Sequence, residues 1–150
     1  MPYNIIHASS GVSLVVIKAV ESNLGIRFPE DFVNLYKKAN GGRPEDRFYP
    51  VGGDFYGVHE IVPIISTAKD DDNMEKAYKA LVKETRGFPG FLVPFASDSS
   101  GDYFCFSIRD FDYGAIFCYV HENSDDPDRM LVLLAPSLDA FFSGMRKFPE

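Results

Sequence analysis

Apolar positions along the chain fall into two periodicities. From Gly11 to Leu24, Val12, Val15, Val16, Ala19, Val20 and Leu24 recur at the three-and-four spacing of one helix face. Gly25 is placed to stop that helix in the left-handed conformation. A second helix begins at Pro29-Glu30-Asp31, where proline tolerates the first turn and the acids complement the helix dipole. Its stripe is Phe32, Leu35, Tyr36 and Ala39; Lys37 and Lys38 suit its negative end, and Asn40-Gly41-Gly42 ends it. Asp70-Asp71-Asp72-Asn73 opens a third helix, one aspartate serving as its cap, with Met74, Ala77, Tyr78, Leu81 and Val82 on its apolar face. Ser137 caps a last helix carrying Leu138, Phe141, Phe142 and Met145.

Elsewhere the apolar runs are short, aromatic and β-branched. Phe91 to Ala96, Tyr103 to Ile108, Ala115 to Val120 and Met130 to Ala135 read as strands bounded by Gly, Asp and Ser clusters. The six residues Arg109 to Gly114 are short enough to close an antiparallel hairpin. Arg43 to Asp54 reads as an extended loop with a short strand. Tyr56, Val58, Ile61 and Ile64 mark one or two further strands, with Pro63 favouring a sheet edge. The order of elements predicts one α+β domain over residues 1–150, an antiparallel-dominated sheet of about five or six strands with helices packed against it. Strict βα alternation is missing, which weakens the case for a doubly wound parallel sheet.

Composition narrows the class. A 150-residue chain with 45% apolar and 15% aromatic residues can fill a core. A net charge of −7 argues against non-specific nucleic-acid binding and against an anionic membrane surface, and leaves room for a basic partner. The two cysteines, Cys105 and Cys118, lie in the predicted hairpin and read as buried small hydrophobes rather than a disulfide. Residues Met1 to Ser10 lack the pattern of a signal peptide, and no apolar run approaches a membrane span, so a cytoplasmic, soluble protein is expected.

Candidate chemistry is sparse. There is no GxSxG elbow, and His7, His59 and His121 are isolated in sequence; His121 beside Glu122 reads as a strand-end surface histidine. The aspartate run lacks the spacing and terminal Glu of a calcium loop, neither CxxC nor HxxxH occurs, and no G-K-[ST] follows the paired glycines. No catalytic residue, metal ligand or cofactor is expected. What remains is a set of acids in predicted turns: Asp98, Asp102, Asp110, Asp112, Glu122, Asp125 and Asp126, with the aromatics Tyr103, Phe111 and Tyr113 among them. If several share one edge of the sheet, they form an acidic rim around aromatic anchors, a composition suited to protein binding. The bland alternative is a solvated acidic surface.

Leu24-Gly25, Phe28-Pro29-Glu30-Asp31-Phe32, Leu35-Tyr36 and Asn40-Gly41-Gly42 together resemble the opening of the SUKH superfamily. Tyr56-Gly57-Val58, Glu60-Ile61, Val93-Pro94-Phe95-Ala96, Gly101 to Cys105, Ser137-Leu138 and Phe141-Phe142 continue the likeness in order. That superfamily includes fungal cell-wall-synthesis regulators and many bacterial immunity proteins. The resemblance implies a compact α+β domain without catalytic residues, acting as an antitoxin that binds a cognate protein toxin, often a nuclease or deaminase. A basic nuclease would suit the acidic turns. A scaffold or regulatory module binding an endogenous protein is the second expectation. An enzyme with a spatially assembled Ser/His or Asp/His site is the third, and would depend on His59 or His121.

Overall fold

The computed structural model describes residues 4–68, 71–123 and 125–147. Two short strands, β1 (Ile5–Ile6) and β2 (Ser9–Ser10), precede helices α1 (Leu14–Leu24) and α2 (Glu30–Lys38). Then come β3 (Ala39–Asn40), β4 (Arg43–Pro44), β5 (Phe48–Val51), β6 (Asp54–Gly57) and β7 (Glu60–Ile61). Helix α3 (Met74–Glu84) leads into β8 (Leu92–Ser97), β9 (Tyr103–Ser107), β10 (Ile116–Tyr119), β11 (Leu131–Ala135) and α4 (Leu138–Ser143). Strands β7 to β11 form one five-stranded sheet in the order β11-β10-β9-β8-β7, antiparallel throughout. The other strands pair two by two, β1 with β4, β2 with β3 and β5 with β6. The fold is α+β with an antiparallel main sheet, as the element order predicts.

The helices form where capping and burial agree. Ser13 accepts the Val16 N–H at 3.3 Å to start α1, and Gly25 at φ 69° ends it, with Ile26 N–H donating back to Glu21 at 3.1 Å. The buried face of α1 agrees with the expected one at Val20, with Val12 and Leu24 packed against the core, and departs from it elsewhere. Val15 is 79% exposed, whereas Ile17, Val20 and Glu21 are buried. The run Leu14-Val15-Val16-Ile17 carries no phase of its own, so packing against α2 selects Ile17. Glu21 joins that face because its carboxylate accepts the Phe28 N–H at 2.7 Å and pairs with Lys18 at 3.1 Å, satisfying a charge that burial would otherwise penalise. At α3 the cap is Asn73, accepting Lys76 N–H at 2.9 Å, rather than an aspartate; Asp70 lies outside the described residues. Met74 is the buried anchor of α3, and Val82, expected on its apolar face, is exposed. Ser137 caps α4 as expected, accepting Ala140 N–H at 3.1 Å.

The first face of the sheet packs on α1, α2 and α4. Phe32 lies 4.3 Å from Phe106 and 4.9 Å from Phe95, ring centre to ring centre, and Phe141 bridges Phe95 and Phe104. Each such ring contributes about 1.5–3 kcal/mol by burial. Buried Asn40 ties the end of α2 to the following loop, accepting Ile64 N–H at 2.8 Å and donating to Ile65 C=O at 3.1 Å. Beside it, Gly42 has φ 82°, and a Cβ there would lie 2.6 Å from the Ile6 carbonyl oxygen. The second face is clad by Leu81, Phe88 and Phe91 over Leu92, Cys105 and Tyr119. Cys105 pairs with Phe117 and Cys118 with Phe104, so the thiols point to opposite faces; both are free and buried. Burial pushes both thiol pKa values up.

Candidate protein-docking surface

The hairpin register distributes the predicted site residues between two ends of the sheet. Tyr103 faces Tyr119 at one end, and Ile116 faces Phe106 near the other. Asp98, Asp102, Tyr103, Glu122, Asp125 and Asp126 therefore gather where β8 passes to β9 and β10 passes to β11. Asp110, Phe111, Asp112 and Tyr113 lie in the loop that joins β9 to β10.

At the first end the acids mostly hold turns. One carboxylate oxygen of Asp98 accepts the N–H groups of Ser100 and Asp102 and the Ser100 hydroxyl, each at 2.9 Å. Asp102 accepts His121 N–H at 3.0 Å and pairs with His121 Nδ1. The partner of His121 is thus Asp102, nineteen residues away, and not its neighbour Glu122. No serine or cysteine is within hydrogen-bond distance of that imidazole among the described residues, so the pair lacks a nucleophile. Asp126 Oδ1 accepts Asp128 N–H at 3.1 Å, while Glu122 and Asp125 point to solvent. Tyr103 is half-buried and lines a cleft of about 270 Å³ with Glu60, Asp72, Lys76 and Ser97. Burial, then Asp72, raises its phenol pKa.

The opposite end is built around Arg109. Its guanidinium donates to both Asp112 oxygens, at 3.2 and 2.5 Å, and Ser107 Oγ donates to the same carboxylate at 2.6 Å. Burial works to raise the Asp112 pKa, but the bonds from Arg109 and Ser107 outweigh it and hold the carboxyl below the ordinary value. Neutralised there, the guanidinium stacks 3.7 Å from the Phe91 ring centre and 4.5 Å from that of Phe111. Gly114, at φ 85°, closes the loop by donating its N–H to Ser107 C=O at 2.8 Å. Tyr113 is fastened by its hydroxyl to the Arg27 carbonyl oxygen at 2.6 Å.

These contacts leave Phe111 80% exposed beside a groove of about 750 Å³, lined by Asp110, Phe117, Leu133 and Pro136 among others. Leu133, facing Phe117 across the β10–β11 ladder, is 59% exposed. Leu81, Phe88 and Phe91 clad the second sheet face over Leu92, Cys105 and Tyr119, with Leu131 packed beside them, and leave the end at Leu133 uncovered. The site is therefore apolar at its centre, with carboxylates at its margins, rather than a continuous acidic rim. Arg109, Phe117 and Leu133 are absent from the sequence-derived set. The apolar run at Leu133 signals a strand but not which of its residues lacks a cover.

Among the described residues, no cluster of three or more His, Cys, Asp or Glu side chains could hold a metal ion, and no helix is long and apolar enough to cross a membrane. The chain is 28% identical over 138 residues to the SPbeta prophage-derived uncharacterized protein YokK of Bacillus subtilis (strain 168), covering 83% of this chain and 70% of that protein. Residues 11–144 match the SMI1 / KNR4 family (SUKH-1), a span reaching from the approach to α1 to the end of α4. With the signature of α2, the paired glycines and the capped terminal helix all in place within that span, the chain belongs to the SMI1 / KNR4 family (SUKH-1).

Proposed function

We propose that this protein is a non-enzymatic immunity protein that neutralises a protein toxin by stoichiometric binding in the cytoplasm. The observation that carries this reading is the uncovered end of the second sheet face, where Leu133 and the loop residue Phe111 stand exposed beside Phe117 and Asp110. Exposed aromatic and aliphatic anchors within a polar margin are the composition of protein interfaces. Among the described residues, no serine or cysteine stands within hydrogen-bond distance of the Asp102–His121 pair, which favours binding over turnover. Net charge −7 suits a basic partner such as a nuclease, whose phosphate-binding surface would accept carboxylates in place of its substrate.

The test is growth rescue. C-terminal domains of large secreted proteins from the same host are expressed singly, with and without this chain. The expected result is restored growth against one of them, with equimolar inhibition of the purified toxin that weakens as salt rises. Failure to restore growth against every such domain would overturn the reading. Recovery of a constitutive cell-wall or regulatory protein as the stoichiometric partner would replace it with the scaffold role.

A further inference from the structure

The two edges of the main sheet are finished differently. Edge strand β7 is two residues long, is followed by Pro63, and has its Ile61 N–H bonded outward to Gly42 C=O at 2.6 Å. That edge is short and covered, as edges usually are. Edge strand β11 reads Leu-Val-Leu-Leu-Ala, five residues with no charge and no proline. Among the described residues, its backbone bonds to no element other than β10. Val120 N–H donates to Met130 C=O, so antiparallel alternation turns the N–H and C=O groups of Leu131 and Leu133 away from the sheet.

Strand β11 also runs between the two groups of acids. Five residues span about 17 Å. The β11 end at Ala135 adjoins the groove that Asp110 lines, and the end at Leu131 follows the loop carrying Glu122, Asp125 and Asp128. Pairing β11 with a second copy of itself would set these acids against one another in either direction. A strand with apolar residues at alternate positions and basic residues at both ends would instead meet opposite charge at each end. Its apolar side chains would extend the second face over Phe117 and Leu133.

We propose that β11 is the docking edge for an extended, basic-flanked segment of the partner protein, added as a sixth antiparallel strand. This rests on the reading that the chain acts by binding a protein. Backbone bonds at Leu131 and Leu133 would supply affinity, Phe111, Phe117 and Leu133 would select apolar side chains, and the terminal acids would set register.

The test uses the isotope-labelled full chain and the synthetic peptide Lys-Arg-Val-Thr-Val-Thr-Val-Arg-Lys. The expected result is amide shifts centred on β11 and Phe117, and hydrogen exchange at Leu131 and Leu133 slowed by about tenfold or more. Alternate N-methylation of the peptide, or Leu133→Lys in the protein, should each weaken binding by about tenfold or more. Shifts away from β11, no binding, or equal binding of the N-methylated peptide would overturn the proposal. So would slowed exchange that tracks protein concentration without peptide, which would assign the edge to a second copy. Growth rescue separates the two readings. If Leu133→Lys protects as well as wild type, the docking edge falls and immunity stands; if wild type protects against nothing while the peptide still protects β11, immunity falls and the edge stands.

Discussion

The two faces of the five-stranded sheet are made of similar residues and treated oppositely. The first carries Phe95, Phe104, Phe106 and Ile116, all fully buried under three helices. The second carries Cys105, Phe117, Tyr119 and Leu133, and its burial fades from complete at Cys105 to slight at Leu133. Strand composition does not explain the difference. The covers do: on the second face Leu81, Phe88 and Phe91 reach Leu92, Cys105 and Tyr119, with Leu131 packed beside them, and stop short of Leu133. Where the first face has interlocked rings, the exposed Phe111 of the second is held by a guanidinium stack and one ion pair. One face is built for stability, the other offers surface.

The comparison is most easily broken at Phe106. Phe106→Ala should remove about 3–5 kcal/mol, because its neighbours Phe32, Phe28 and Phe95 cannot all collapse into the space. Thermal unfolding should shift downward by roughly 10 °C. A loss no larger than that of a surface substitution would show that the first face is loosely packed. Next comes Asn40→Ala, which leaves the Ile64 N–H and Ile65 C=O unpaired and should cost about 1–3 kcal/mol by denaturant unfolding.

A smaller effect is expected at the Arg109 stack, and it depends on pH. The Asp112 pKa is lowered on folding, so its stabilising contribution is complete above its ordinary value of 3.8 and disappears as pH falls through the lower folded value. Titrating into that range should release the Phe111 ring signals before the core unfolds, and Asp112→Asn should remove this acid step. The least effect on stability belongs to Phe111→Ala, within about 0.5 kcal/mol, since the ring is mostly in solvent already. The same substitution should weaken toxin inhibition measurably. A variant that bound normally would strip the second face of its proposed role.

What could be read from the chain alone follows from how local each signal is. Helix α2 was legible except at its end, because Pro29, its acids and the Phe32–Leu35–Tyr36 stripe lie within one short segment, whereas Ala39, expected on the stripe, leaves the helix to pair with Ser10 as β3. Helix α1 was legible as a helix but not in its orientation, since four consecutive apolar residues offer no phase and the acid that marks the buried face, Glu21, looks like a surface residue. Strands β8 to β11 were readable from their apolar runs; the two-residue strands β1, β2 and β3, too short to carry a pattern, were not, nor was the opposite facing of Cys105 and Cys118, which depends on register. The acids of the candidate site were identifiable as turn residues. Their separation into two groups, and the pairing of Asp102 with His121, arise only once β8, β9 and β10 are laid side by side.

The bond from Tyr113 to the Arg27 carbonyl oxygen joins residues 86 positions apart. Helices α1 and α2 are synthesised before the sheet they pack on: the rings that cover Phe32 sit at positions 95 and 106, and the loop that latches Arg27 follows them. At about 5–20 residues per second, roughly 4–17 seconds of translation separate Arg27 from Tyr113. During that interval α1 and α2 have each other, but not the main sheet, to bury their apolar faces against. Assembly of this domain therefore waits on β8, β9 and the loop after them, with the early helices dependent until then on whatever shelters them at the tunnel exit.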